Sequence, residues 1–512
     1  MNLSRNSIAE RKSNGIELPE KSLFDLPEKV LQFGTGVLLR GLPDYFIDKA
    51  NKKGIFNGRI VVVKSTATSG ADSFDKQDGL YTLCVRGIDK GKKASENIVN
   101  ASISRVLSAR NQWDEILRCA ANPDMQIIIS NTTEVGITLI KDNVHASPPE
   151  SFPGKLLAFL YQRFKVFIGD ISKGMIIVPT ELIPDNGKKL EAIVLELAHQ
   201  NGLETAFLDW LETSNHFCNS LVDRIVPGKL TTAQQQEMEK ATGFSDELMI
   251  MSELYRLWAI ESSDKNVNEI LSFSDADEGV VIAPDINVFR ELKLRLLNGS
   301  HTFSCGLAHL AGFKTVVQAM DDPAFANYIT KLMMEEIAPA ITSENLNIEQ
   351  AKSFAEKVID RYRNPYIEHL WLSITLQYSS KMKMRNLPVL AKYAGGTKAV
   401  PPCMSLGFAS HLLFMKAEQD ADGKYYGEAN GTMYLVNDDN AAWYADKWSS
   451  LPVDELVDAV IADSQFWGFS LDTLPGFSAS VKKDLKNLMN DGAAKVLQTE
   501  YVQKDEKLAQ AN

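Results

Sequence analysis

Lys29-Val-Leu-Gln-Phe33-Gly34-Thr35-Gly36-Val-Leu-Leu-Arg40 is the stretch on which the reading of this chain turns. A short apolar strand runs into a glycine turn, an amphipathic segment continues to about Ala50, and a second strand follows at Arg59 to Lys64. Strand, glycine turn, helix and strand form the βαβ unit that lays a pyrophosphate over a helix N-terminus, where free backbone N–H groups and the helix dipole favour an anion. The third glycine of the dinucleotide pattern is missing, since position 39 is Leu39, so this motif alone also fits a plain left-handed turn. Dinucleotide folds place Asp or Glu at the end of the second strand to hold the ribose 2′-OH of NAD. Lys64 and Ser65 stand there instead. A lysine suits the 2′-phosphate of NADP or is a solvated strand end, and both cofactors stay open at this point.

Outward from this unit, Gln126-Ile-Ile-Ile-Ser130 leads into Asn131-Thr-Thr-Glu134, and Met175-Ile-Ile-Val178 into Pro179-Thr-Glu181. These continuous apolar runs alternate with helical patterns at 112–121, 155–167 and 189–200, which predicts a parallel sheet covered on both faces. Ligands bind outside the carboxyl ends of such strands, so Glu134 and Glu181 are either pocket groups or surface acids. In Asn219-Ser-Leu-Val-Asp223-Arg224-Ile-Val-Pro227 an acid and a base interrupt an apolar run, as a structural ion pair or as a pocket wall. A last strand, Gly279 to Ala283, precedes Pro284, and helical periodicity dominates beyond it. The expected fold class is therefore α/β, a Rossmann-type N-terminal domain followed by a mostly α-helical C-terminal domain. The boundaries read as a flexible leader at 1–20, a nucleotide domain at 21–284 and an all-α domain at 285–512.

Composition narrows the partners. With 512 residues the chain exceeds one core, and 45% hydrophobic and 23% charged residues are globular values. A net charge of -12 opposes nonspecific nucleic-acid binding. No run reaches the roughly 20 apolar residues of a membrane span, and the polar start lacks the apolar core of a secretory signal. Five scattered cysteines without a CxxC fit neither a disulfide framework nor a zinc ribbon. A reducing cytoplasm and a small-molecule partner are expected, with no membrane and no nucleic acid; oligomeric state stays open.

Chemistry concentrates in Lys293-Leu-Arg-Leu-Leu-Asn298-Gly-Ser-His301. His301, Cys305 and His309 follow at helical spacing, which superficially suggests a metal site but equally suits a satisfied core face, and no HExxH is present. No metal is expected. Downstream, Arg361, Arg363, Lys381, Lys383 and Arg385 form either a solvated face or an anion pocket, where a guanidinium fork would bind a carboxylate through two hydrogen bonds.

Lys-x4-Asn-x2-His, here Lys293, Asn298 and His301, resembles the motif of the long-chain mannitol dehydrogenase family. The likeness covers nearly the whole chain and includes Gly34-Thr-Gly36 with Arg40, Gln77-Asp-Gly-Leu-Tyr81, Val222-Asp-Arg-Ile225 and Arg361-Tyr-Arg-Asn-Pro365. Gln32-Phe-Gly-Thr-Gly, Ser130-Asn-Thr-Thr-Glu and Arg363-Asn-Pro-Tyr-Ile-x-His369 are similar to the sugar-acid branch more than to the polyol branch. The resemblance implies metal-independent hydride transfer with NAD on a sugar-acid substrate. Lys293 would be the acid in reduction and the base in oxidation, and Asn298 and His301 would donate hydrogen bonds to the reacting oxygen. It places Arg361 at the substrate carboxylate, with Lys381, Arg385 and Asp223 as further substrate residues. Phe33, Gly34, Thr35, Gly36, Arg40, Asn131 and Glu134 would line the cofactor. Two departures stand out: polyol members show an acid where this chain has Lys64 or Ser65, and Asp-Asn where it has Glu181-Leu182. A sensor that keeps the fold without turnover is the competing class, although it has no need of all three motif residues.

In a straight α-helix Lys293 and His301 would lie roughly 12 Å apart along the axis, with Asn298 turned about 140° from the lysine. That is too dispersed for one oxygen. A helix break at Asn298-Gly299 is therefore predicted, with Ser300 as N-cap of a second helix.

Overall fold

The computed structural model describes all residues except 10–14, 66–70, 133–134, 398–399 and 504–512. The chain divides into two units, Met1–Gly87 with Lys93–Ile286, and Ile88–Lys92 with Asn287–Asn512.

The first unit is built on a six-stranded parallel sheet: β1 (Glu28–Phe33), β2 (Arg59–Lys64), β3 (Ile103–Ser108), β4 (Ile127–Ser130), β5 (Ile176–Pro179) and β6 (His216–Phe217). Their spatial order is β3-β2-β1-β4-β5-β6, with every neighbouring pair parallel. The order reverses between β1 and β4, the switch point at which doubly wound sheets bind ligands. Period-two alternation feeds two cores. Val30, Ile60, Val62, Ile127 and Ile129 pack on one face with Phe46 and Trp258, while Leu31, Val61, Val63 and Ile128 pack on the other with Leu156, Phe159 and Val194. With both faces covered, every residue of β2 and β4 is buried, which is why these strands read as unbroken apolar runs. The helix after the glycine turn is broken into α1 (Val37–Gly41) and α2 (Pro43–Lys52) at Leu42, whose φ of -134° and ψ of -77° are not helical. On the opposite face lie α3 (Phe152–Val166) and α4 (Asn186–Gln200).

Two three-stranded sheets complete this unit. One pairs the hairpin Tyr81–Asp89 and Lys92–Asn100 with Ile250–Glu253; the other joins Val280–Ala283, Leu257–Glu261 and Ser220–Asp223. Part of the expected flexible leader is packed rather than loose. Leu3, Ile8 and Ile16 are buried with Leu80, Val99 and Phe244, and the Leu3 N–H donates to the Ser245 carbonyl at 2.9 Å. Apolar side chains that can cover an open sheet edge do so, even in a polar stretch.

The second unit is mostly helical, and α5 (Ser300–Leu310), α6 (Ile348–Tyr362), α7 (Pro402–Phe414) and α8 (Phe477–Asp491) are its principal helices. Helix α7 packs against both α5 and α8 and is buried almost all round. The buried Glu336 carboxylate caps α7, accepting from Cys403 N at 2.7 Å and Met404 N at 2.8 Å. The all-α reading of this half is corrected by an antiparallel sheet, Glu418–Gln419, Tyr425–Ala429 and Thr432–Leu435. Its second turn is Asn430-Gly431, with φ of 52° and 74°, the conformation a tight hairpin demands. No described helix is long and apolar enough to cross a membrane.

Candidate active site

Lys293 and Asn298 lie on a π-helix, Leu292–Gly299, which runs without interruption into α5. The predicted break at Asn298-Gly299 is absent: Gly299 has φ -67° and ψ -44°, and Ser300 has φ -65° and ψ -40°. Ser300 is no N-cap. Its hydroxyl instead donates back to the carbonyls of Leu296 and Leu297. The expectation failed because it assumed 3.6 residues per turn. In a π-helix the hydrogen bonds run from i to i+5 and each residue turns through a smaller angle, so residues five apart lie much closer round the axis than in an α-helix. Lys293 and Asn298 thus share a face inside one continuous helix, and the return to α periodicity sets His301 one turn past Asn298.

His301 is only 8% exposed. Its ring stacks on Tyr362 with centroids 4.3 Å apart and planes 18° apart, and meets His369 edge-on at 5.1 Å and Trp371 at 5.9 Å. Its Nε2 is buried with no hydrogen-bond partner among the described residues. Burial first, then the charges of His369, Arg361, Arg385 and Lys381, hold its pKa well below the ordinary 6.5, so the imidazole is neutral. The same crowding acts on its neighbours. Burial, with Arg361 and Lys381, lowers His369, while burial and Arg385 lower Lys381. Arg385 Nη1 donates to Thr302 Oγ1 at 3.3 Å, and Thr302 Oγ1 donates to the Asn298 carbonyl at 2.8 Å. Arg361 from one helix, and Lys381 and Arg385 from another, therefore converge electrostatically on His301. His369, which the sequence marks only as part of a longer motif, stands with them.

The metal-like spacing of His301, Cys305 and His309 resolves into packing. Cys305 is buried with its thiol pushed up to about 12 by desolvation, and His309 packs edge-on against Phe414 and Tyr434. No group of three or more metal-ligating side chains occurs among the described residues.

In the first unit, β1 ends at Phe33 and the chain turns through Gly34 at φ +127°. A Cβ there would meet Leu39 Cδ1 at 2.9 Å and the Asn131 carbonyl oxygen at 3.0 Å, so no side chain fits. Leu39 fills the place where a third glycine would let helix and strand approach. At Gly36, which precedes α1, a Cβ would meet nothing within 4 Å. Open space beside a glycine at the switch point fits the close approach of a dinucleotide pyrophosphate. Asn131, at the end of β4, donates to Thr180 Oγ1 at 3.0 Å. Thr35 lies between the two glycines, and Glu134 falls outside the described residues.

Arg40, expected beside the cofactor, also makes contacts within its own unit. It is buried, donates through Nη1 to the Leu248 carbonyl at 2.6 Å and lies over the Tyr81 ring. Glu181 is no surface acid, because it is buried and accepts from Ser130, the Thr132 backbone and the Thr132 hydroxyl, pinning the loop after β4. Lys64 is also buried. Asp223 closes a strand of the first unit, and the adjacent Arg224 donates to the carbonyls of Gly41 at 2.6 Å and Glu253 at 2.9 Å.

A doubly wound parallel sheet with a glycine turn at its switch point, followed by a helical unit carrying a Lys-Asn-His constellation, defines a Rossmann-type two-domain dehydrogenase architecture. Residues 28–271 match the mannitol dehydrogenase Rossmann domain and residues 285–489 the mannitol dehydrogenase C-terminal domain. The chain belongs to the mannitol dehydrogenase family. It is 36% identical to an altronate oxidoreductase of Cronobacter sakazakii, with 91% of this chain and 95% of the relative covered. It is likewise 36% identical to an altronate oxidoreductase of Bacillus subtilis, with 94% and 98% covered. Among solved structures, Pseudomonas fluorescens mannitol 2-dehydrogenase in ternary complex with NAD and D-mannitol shares the fold, with a TM-score of 0.65 at 22% identity over 98% of this chain and 99% of that one.

Proposed function

We propose that this protein is an NAD-dependent oxidoreductase that interconverts D-tagaturonate and D-altronate by metal-independent hydride transfer. The observation that carries this reading is the convergence of Arg361, His369, Lys381 and Arg385 on His301, beside the helix that bears Lys293 and Asn298. A sugar acid differs from a polyol by a carboxylate, and a cluster of cationic groups is the complement that carboxylate needs. The relatives covering more than nine-tenths of this chain are altronate oxidoreductases, which points the same way.

Bound NADH would supply the hydride in reduction, and NAD would accept it in the reverse direction; Phe33, Gly34, Thr35, Gly36 and Asn131 are the residues that would hold the cofactor. The remaining chemistry belongs to the chain. Reduction of a ketone needs a proton at the oxygen and donors for the charge developing there. Lys293 delivers that proton, while Asn298, one π turn away, and the neutral His301 donate hydrogen bonds to the same oxygen. A neutral imidazole donates from one nitrogen without competing with Lys293 for the proton. Arg361, with Lys381 and Arg385, holds the carboxylate and so fixes which carbon faces the hydride.

The test is NADH oxidation by the purified protein with tagaturonate, fructuronate, fructose and fructose 6-phosphate, for wild type and Lys293→Ala. Tagaturonate is expected to have the highest kcat/KM, and Lys293→Ala to lose the 10²- to 10⁴-fold that general acid catalysis typically contributes. Preference for fructose, or a Lys293→Ala variant at wild-type rate, would refute the assignment.

A further inference from the structure

Where the helix passes from π to α periodicity, the backbone ladder changes register at Ser300. The Ser300 N–H bonds the Leu297 carbonyl, so it is not available to Leu296 as it would be in an α-helix. Side chains donate to the carbonyls of four successive residues here. The Leu296 and Leu297 carbonyls accept from Ser300 Oγ, and Leu297 also accepts from the Tyr362 hydroxyl at 3.2 Å. The Asn298 carbonyl accepts from Thr302 Oγ1 at 2.8 Å, and the Gly299 carbonyl from Asn386 Nδ2 at 3.2 Å. Ser300 Oγ and the Tyr362 hydroxyl are themselves joined at 2.8 Å, both fully within the interior. Arg295 adds a brace through the Met384 and Arg385 carbonyls at 2.7 and 2.8 Å. π segments are rare in soluble proteins and occur frequently at functional sites.

Tyr362 does two things at once. Its hydroxyl, from α6, holds the carbonyl at the register change, and its ring lies 4.3 Å from His301 in a near-parallel stack. We infer that Tyr362 is a positioning residue, acting with Ser300 as a staple. The staple locks the π register that puts Lys293 and Asn298 on one face, and the same ring fixes the plane of His301. Tyr362 touches neither proton nor hydride and acts only through the three groups it aligns. This inference rests on the roles given above to Lys293, Asn298 and His301.

The test compares Tyr362→Phe, which keeps the stack and deletes the hydroxyl, with Ser300→Ala, which deletes the other half of the staple. Both are measured for kcat, KM and the pH dependence of kcat in tagaturonate reduction, alongside NADH binding by fluorescence and thermal melting. Each variant is expected to bind NADH as wild type, to keep KM within about twofold, and to lose on the order of 10- to 100-fold in kcat, the cost of a misplaced reacting group. The pH profile of kcat is expected to shift, because Lys293 no longer shares its surroundings with Asn298. Wild-type kcat in either folded variant overturns the inference, and so does a lowered kcat with an unchanged pH profile, which marks a purely structural role. If Tyr362→Phe does not fold, the same two readouts on Ser300→Ala decide the matter. An active Lys293→Ala variant would instead sink the functional reading, so the two failures are distinguishable.

Discussion

Burial, the neighbouring His369 and the cations Arg361, Arg385 and Lys381 press on the His301 imidazole in one direction, against its proton. In the unfolded chain the group titrates near 6.5, whereas in the folded protein its pKa lies well below. Between the two values the unfolded state binds the extra proton, so stability is level above about pH 6.5 and falls as pH drops through it. Urea unfolding at pH 7.5 and 5.5 is expected to show a loss of stability that His301→Gln reduces in part, since His309, His369 and His411 are held low as well; an equal loss in that variant would contradict the assignment. Lys293, Asn298 and His301 were legible in the sequence as a spaced motif, and so were the arginines and lysine that gather round them. Their mutual geometry was not, because a spacing converts to an angle only once the helical period is known. Tyr362 stood inside the Arg361-Tyr-Arg-Asn-Pro365 motif with no role legible, because a tyrosine on the buried face of an amphipathic helix looks like ordinary core. His369 carried a signal in its motif, but nothing local marked it as facing His301.

The glycine turn after β1 separates two requirements usually read as one. Gly34 is needed by the protein itself, given its φ of +127° and neighbours within 3.0 Å of any Cβ, whereas Gly36 has empty space around it. Gly34→Ala is therefore expected to lower the melting temperature and weaken NADH binding together. Gly36→Ala is expected to leave the melting temperature unchanged and weaken NADH binding alone, read by calorimetry or fluorescence titration. The strands of the large sheet could be read closely because burial on both faces makes each a continuous apolar run. The hairpin Tyr81–Asp89 and Lys92–Asn100 could not be read that way, since the outer half of its second strand is exposed and polar. Hairpins announce themselves by turn chemistry instead. Lys90-Gly91 and Asn430-Gly431 both adopt positive φ, and the second is an Asn-Gly pair within a half whose periodicity is mainly helical. In the same half, two short helices, Trp371–Ile374 and Tyr378–Lys381, are separated at Gln377, whose φ of 52° no helix period foretells.

The chain as a whole carries a formal charge of -12, yet the groups around His301 are positive. An anionic substrate is thus repelled by the surface at large and drawn to one place on it, and salt screens both effects over about 10 Å at 0.1 M. Raising ionic strength from 0.02 to 0.3 M, on the order of the range over which screening sets in, is expected to raise KM for tagaturonate several-fold and to leave KM for NADH less affected. A salt-independent KM would argue against a carboxylate among those cations. The unbroken helix through Gly299 has one more consequence, for how the chain tolerates changes of length. Residues five apart on a π turn and residues four apart on an α turn both share a face. Deleting one residue between Lys293 and Asn298 would therefore return the segment to an ordinary helix with the pair still aligned. Inserting one would swing the lysine to the far side. Homologues that differ by a single gap here can keep the same chemistry, while those with an extra residue cannot, and the asymmetry gives an alignment a physical rule for where its gaps belong.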